Sequence, residues 1–167
     1  EFVARSEKTA EALLGEKLRK QNLTVATAES CTGGYIAHRI TAVPGASDYF
    51  EGSIVSYDNR IKEELLDVDK SSIEKFGVVS SEVVEQMAVN VARKLKTGCS
   101  IAVSGIMGPE GGTKEKPVGT VWICTLYENE LLSREYRVGS SREENIERTA
   151  NLAILQLLKM LVRKGAG

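Results

Sequence analysis

The sequence predicts an α/β fold on a mixed sheet. Helical and strand-like patterns alternate along its 167 residues without a low-complexity linker or internal repeat. Two runs, Leu23 to Ala28 and Cys99 to Ser104, are short and made of apolar, β-branched or small residues, as buried strands are. Two further runs, Gly119 to Tyr127 and Leu131 to Val138, are joined through Glu128-Asn129-Glu130 as an antiparallel hairpin.

The elements follow in order. Ala10, Leu13, Leu14 and Leu18 mark the apolar face of a first helix before the Leu23 strand. Gly33-Gly34 opens a second helix through Tyr35, Ile36, His38, Arg39 and Ile40, and Pro44-Gly45 breaks the chain. Phe50 to Tyr57 alternates as a strand, and Asn59 to Leu66 returns to helix. Ser71-x-x-Glu74 reads as a capping box for a short helix. Ser80-Ser81-Glu82 opens a longer helix whose Val84, Met87, Val91 and Leu95 share a face. Ser140-x-x-Glu143 is expected to cap the last helix, with a stripe of Ile146, Ala150, Ala153, Ile154, Leu157, Leu158 and Leu161. Leu152, Leu155, Met160 and Val162 widen that stripe, which implies burial on two sides or a homo-oligomer contact through apolar helix faces.

Composition narrows the function classes. The length suits one domain, residues 1–167, with room for a proper core; Glu1 in place of a methionine suggests a part excised from a longer protein or a chain lacking a few residues. With 42% hydrophobic and 27% charged residues and a net charge of -1, neither disorder nor nucleic-acid binding is expected. The longest apolar run is far short of a membrane span, so a soluble, cytoplasmic protein without a membrane partner is expected. Cys31, Cys99 and Cys124, an odd count without Cys-x-x-Cys spacing, are expected to be reduced thiols.

Ala28-Glu29-Ser30-Cys31-Thr32-Gly33-Gly34 carries the strongest chemical signal, because it sets Ser30 where a strand runs into a glycine-opened helix. Ser30 is a candidate nucleophile, and free N–H groups at the helix start would stabilise an oxyanion. The alternative is a serine that only caps the helix.

A serine nucleophile needs a base. The single histidine, His38, lies a turn into its helix and is poorly placed to meet Ser30, so a Ser-His-Asp triad is not expected. Ser56-Tyr57-Asp58-Asn59-Arg60-Ile61-Lys62 offers Lys62, which can act as base if desolvation lowers its pKa, and Tyr57, which can orient or relay the proton. The alternative is a solvated helix lysine beside a half-buried tyrosine.

The third stretch is the loop Ser104-Gly105-Ile106-Met107-Gly108-Pro109-Glu110-Gly111-Gly112-Thr113, closed by Lys116-Pro117-Val118-Gly119-Thr120. Its glycines match neither a P-loop nor a Rossmann fingerprint. A phosphate or substrate clamp and a long surface turn both fit. Arg142, in the first turn of the last helix, is the natural anion partner; the alternative is an exposed arginine beside Glu143 and Glu144. One histidine and scattered carboxylates offer no metal-ligand spacing.

Together with Gly52-Ser53-Ile54-Val55-Ser56-Tyr57-Asp58-Asn59 and Gly77-Val78-Val79-Ser80, these stretches make the chain, from about Leu13 onward, resemble the C-terminal domain of the competence/damage-inducible CinA family, which includes the PncC-type nicotinamide-nucleotide amidohydrolases. The resemblance implies a three-layer α/β/α sandwich and deamidation of nicotinamide mononucleotide to nicotinate mononucleotide and ammonia. It places the serine, tyrosine and lysine of the family on Ser30, Tyr57 and Lys62. Met107 departs from the small residue expected in the family loop and would narrow the pocket. Full-length members carry an N-terminal molybdopterin-binding-like domain, for which this sequence has no counterpart.

The expected chemistry joins both lines. Ser30, deprotonated by Lys62 with Tyr57 assisting, attacks the carboxamide carbon while N–H groups near Thr32, Gly33 and Gly34 hold the oxyanion. Ser104, Gly105 and Arg142 would bind the ribose phosphate, and Asn59 is placed among the substrate contacts. No cofactor is called for. A non-catalytic nucleotide-binding or assembly module is the alternative of another class; a thiol hydrolase using Cys31 is a third, without an evident histidine partner.

Overall fold

A computed structural model describes residues 8–165. The first and last residues of the range expected to form one domain lie outside them.

Among the described residues, five strands form one sheet. β1 (Val25–Glu29) pairs in parallel with β2 (Phe50–Val55) and with β3 (Cys99–Gly105). β3 pairs antiparallel with β4 (Thr120–Tyr127), and β4 with β5 (Glu130–Arg137), giving the order β2-β1-β3-β4-β5. The sheet is mixed, as the hairpin signal predicts. Residues of β1 and β3 are buried almost throughout, which explains their lack of polar alternation.

Helices cover both faces. On one side α1 (Ala10–Lys20), α2 (Tyr35–Thr41) and α6 (Arg142–Gly165) enclose a core that includes Leu14, Leu18, Ile36, Ile40, Ile154 and Leu157 with Val25, Ile101 and Ile123 of the sheet. On the other, α3 (Asn59–Leu66), α4 (Lys70–Phe76) and α5 (Ser81–Leu95) close a core of Leu66, Val84, Met87 and Val91 against Ala26, Ala28, Ala102 and Cys124. This is the three-layer α/β/α sandwich.

Several boundaries differ from the sequence reading. β1 starts at Val25 and extends to Glu29, because register with β2 and β3 continues to that residue. β2 stops at Val55, and Asp58 caps α3 by accepting from the Arg60 amide at 2.8 Å. Ser71 does not open its helix: α4 begins at Lys70, so the serine lies inside the first turn. Ser140 likewise falls outside α6, where the Ser141 carbonyl accepts from the Asn145 amide at 2.8 Å. Ser80 does cap α5, accepting from the Val83 amide at 3.4 Å.

Part of the wide stripe of α6 is buried within the chain itself. Met160 is buried against the sheet, where its sulfur accepts from Thr125 Oγ1, while Leu152, Leu155 and Val162 are partly buried against the core, Leu152 and Leu155 along a groove shared with Leu132 and Tyr136 of β5.

Chain direction fixes where a ligand can sit. β1 has a parallel neighbour on each side, and the chain leaves it toward β2 before returning to β3 on the opposite side. The carboxyl ends of β1, β2 and β3 therefore splay their connections apart and leave a crevice at the switch point.

Candidate active site

A cavity of about 280 Å³ opens at that crevice. Ser30, Tyr57, Asn59, Lys62, Ser104, Gly105 and Arg142 all line it, together with Cys31, Val78, Val79 and Met107. Stretches separated by more than a hundred residues are brought together by three strand ends and the start of α6. Thr32, Gly33 and Gly34 are not among its lining residues. His38 is also outside it, stacked on Tyr35.

Glu29 explains the turn after the nucleophile candidate. Its side chain is fully buried, and its Oε1 accepts from Thr32 Oγ1 at 2.7 Å and the Ile36 amide at 2.8 Å. Oε2 accepts from the Ala37 amide at 2.9 Å, Thr27 Oγ1 at 3.1 Å and Ser53 Oγ at 3.3 Å. A buried carboxylate survives only with such partners. The first amides of α2 are thus taken up internally, which corrects the expectation that they point free at the turn. The Gly33 amide is likewise used, donating to the Ser30 carbonyl at 3.1 Å. Glu29 had no role in the sequence reading, although an acidic residue at a strand end just before a helix is a legible signal for an N-terminal cap.

Lys62 is 1% exposed, so it is not the solvated helix lysine of the alternative reading. Its Nζ donates to the Ser56 carbonyl at 2.7 Å and to the Tyr57 carbonyl at 3.5 Å. Burial lowers its pKa below the ordinary lysine value, against opposing influences from Cys31 and Asp58. Two carbonyls accept two of the amine hydrogens and leave the remaining tetrahedral position for a proton in transit.

Tyr57 stands at the mouth of the cavity, 61% exposed. Arg142 donates from Nη2 to its hydroxyl at 2.9 Å and from Nη1 to the Gly108 carbonyl at 2.8 Å, which ties the glycine-rich loop to the start of α6. The guanidinium faces the cavity instead of its helix neighbours Glu143 and Glu144. Lys116 holds the loop from its far end, donating to the Phe76 and Val79 carbonyls at 2.9 and 2.7 Å. Its contribution to the pocket wall was not legible, because the partner carbonyls lie about forty residues away.

Cys31 is buried and its thiol is pushed up to about 12, chiefly by desolvation. A thiol in that state has almost no thiolate at neutral pH, so the thiol-nucleophile alternative loses support. Met107 is buried at the cavity, and its carbonyl accepts from Asn145 Nδ2 at 2.9 Å. No helix among the described residues is long and apolar enough to cross a membrane.

Comparison with known proteins places this arrangement. The family model described as the CinA C-terminal domain matches residues 7–161. A CinA-like protein of Cytophaga hutchinsonii is 47% identical over 156 residues, covering 93% of this chain and 37% of that protein. One from Flavobacterium psychrophilum is 42% identical over 157 residues, covering 94% and 38%. The chain thus spans well under half the length of these relatives. Among solved structures, the competence/damage inducible protein CihA of Agrobacterium tumefaciens superposes with a TM-score of 0.86 at 35% identity, covering 90% of this chain and 94% of that one. A CinA superfamily protein of Enterobacter cloacae gives 0.88 at 26% identity, covering 93% and 94%. On sequence and structure alike, this chain belongs to the CinA C-terminal domain family.

Proposed function

We infer that the domain hydrolyses the carboxamide of nicotinamide mononucleotide through an acyl-Ser30 intermediate. The observation that carries this reading is Lys62: a buried amine with a lowered pKa, held by two backbone carbonyls at the cavity that Ser30 also lines. A lowered pKa lets this amine give up its proton more readily than a solvated lysine does, which suits a general base.

Ser30 attacks the carboxamide carbon as its proton moves toward Lys62. The oxyanion develops beside the turn after Ser30, where the Gly33 amide is already engaged by the Ser30 carbonyl. The proton returns to the departing nitrogen, which leaves as ammonia. Water then attacks the acyl carbon, its proton follows the same path, and Ser30 is regenerated. Tyr57 and Asn59 orient the substrate. Arg142, with Ser104 and Gly105, binds the ribose phosphate at the loop. Release of ammonia and nicotinate mononucleotide by the purified domain tests the reading, with Ser30→Ala as the blank.

A further inference from the structure

Three serines stand in one row across the carboxyl edge of the sheet. The strand registers pair Glu29 with Val55 on one side and Val103 on the other. The ladder runs one residue further: the Ser56 amide donates to the Glu29 carbonyl at 2.8 Å, and the Ser30 amide to the Val103 carbonyl at 3.3 Å. Ser56, Ser30 and Ser104 are therefore neighbours on strands about 4.8 Å apart. Two residues earlier on the same strands, Ile54, Ala28 and Ala102 face the core beneath α5. Alternation puts all three serines on that face, the side from which α3 brings Lys62.

Ser56 differs from its neighbours. It is fully buried, it is not among the cavity-lining residues, and its Oγ has no hydrogen-bond partner among the described residues. A buried hydroxyl left unpaired is costly and calls for a reason. The reason is suggested by a gap in the catalytic geometry. Lys62 Nζ bonds the carbonyl of Ser56 itself, yet it makes no hydrogen bond to Ser30 among the described residues. Tyr57 does not fill the gap, because its exposed hydroxyl is engaged by Arg142.

We propose that Ser56 is the proton relay between Ser30 and Lys62, its hydroxyl turning between the two. This rests on the reading of Ser30 as nucleophile and Lys62 as base. In acylation the bond from Ser30 Oγ to the carboxamide carbon forms as the Ser30 proton passes to Ser56 Oγ and the proton of Ser56 passes to the free pair on Lys62 Nζ. The carbon–nitrogen bond breaks as Lys62, which lines the cavity, gives that proton to the nitrogen, releasing ammonia. In deacylation a water in the cavity gives its proton to Lys62, the bond from carbon to Ser30 breaks, and Ser30 recovers that proton through Ser56. Ser56 ends each half-reaction as it began.

The test measures two reactions of wild type, Ser56→Ala and Ser56→Thr: phosphonylation of Ser30 by a fluorophosphonate, located by mass spectrometry, and ammonia release from nicotinamide mononucleotide. Fluorophosphonates label a serine that a base activates. Ser56→Ala should slow labelling and kcat by about 100-fold or more with KM unchanged. Ser56→Thr, which keeps a hydroxyl, should recover most of both rates. The unfolding midpoint of Ser56→Ala should equal or exceed that of wild type, since an unpaired buried hydroxyl is removed. Labelling of Ser56→Ala at the wild-type rate overturns the relay, as does absence of labelling in wild type. Equal losses in both variants with lowered midpoints overturn it in favour of a packing role. Ser56-dependent labelling without ammonia release upholds the relay and rejects the substrate reading instead.

Discussion

The guanidinium of Arg142 donates to the hydroxyl of Tyr57 at 2.9 Å across 85 residues of sequence, and it binds the Gly108 carbonyl with its other terminal nitrogen. One side chain thus couples the end of β2, the glycine-rich loop and the start of α6. If the same guanidinium grips the substrate phosphate, Arg142→Ala should raise KM for nicotinamide mononucleotide by one to two decades, the worth of a charge-assisted pair of roughly 1.5 to 3 kcal/mol. The weak rate on nicotinamide riboside, which has no phosphate, should hardly change. Steady-state kinetics on both substrates check this, and equal losses would assign Arg142 to loop structure alone. Tyr57→Phe should cost less than any change at Lys62, because its hydroxyl orients and does not transfer the proton.

Lys62 should be required as a neutral base. Lys62→Arg is then nearly as damaging as Lys62→Ala, about 100-fold or more in kcat, because arginine stays protonated at any working pH. In wild type kcat/KM should rise with pH as Lys62 loses its proton, with the midpoint below the ordinary lysine value of 10.5. A pH–rate profile with its midpoint at the ordinary value would mean that the amine is solvated during turnover.

The same residue makes a stability prediction. In the unfolded chain Lys62 regains its ordinary affinity for protons, so between its lowered folded pKa and 10.5 the unfolded state binds more protons than the folded one. Stability contributed by this site therefore rises with pH through that window. Lys62→Met should be more stable than wild type at neutral pH, and the difference should shrink as pH approaches 10.5. Thermal melts across pH measure it.

Glu29→Ala should destabilise the fold severely. It strands at least the Ile36 and Ala37 amides without their acceptor, and at about 1–3 kcal/mol for each the loss is roughly 2–6 kcal/mol. Chemical denaturation at neutral pH reads this directly. A loss within ±0.5 kcal/mol, as at an ordinary surface site, would show that the carboxylate does not hold α2.

Much of this architecture was legible in the residues. The β-branched run ending at Ala28, the hairpin around Glu128 and the period of α6 each specify their element locally, and the family motifs named the residues that converge on the cavity. What was not legible depends on partners distant in sequence. Glu29 reads as one more polar residue until Ser53 and the α2 amides close around it. Spacing alone favours a solvent-exposed Lys62, and only the packing of α3 on the sheet buries it. The Ser71 and Ser140 boxes failed because the pattern Ser-x-x-Glu also occurs within a first turn or one residue before the cap position: α4 is preceded by Asp69, and the first α6 carbonyl acceptor is that of Ser141.

The central claim is that Ser30, activated by Lys62, turns over a nicotinamide nucleotide. Its most direct measurement is ammonia release from nicotinamide mononucleotide by the wild-type domain, by Ser30→Ala and by Cys31→Ala, with thermal unfolding of each. The account predicts turnover in wild type, none in Ser30→Ala despite an unfolding free energy within about 1 kcal/mol of wild type, and substantial turnover in Cys31→Ala. Turnover that survives loss of Ser30 and disappears with Cys31 would contradict it.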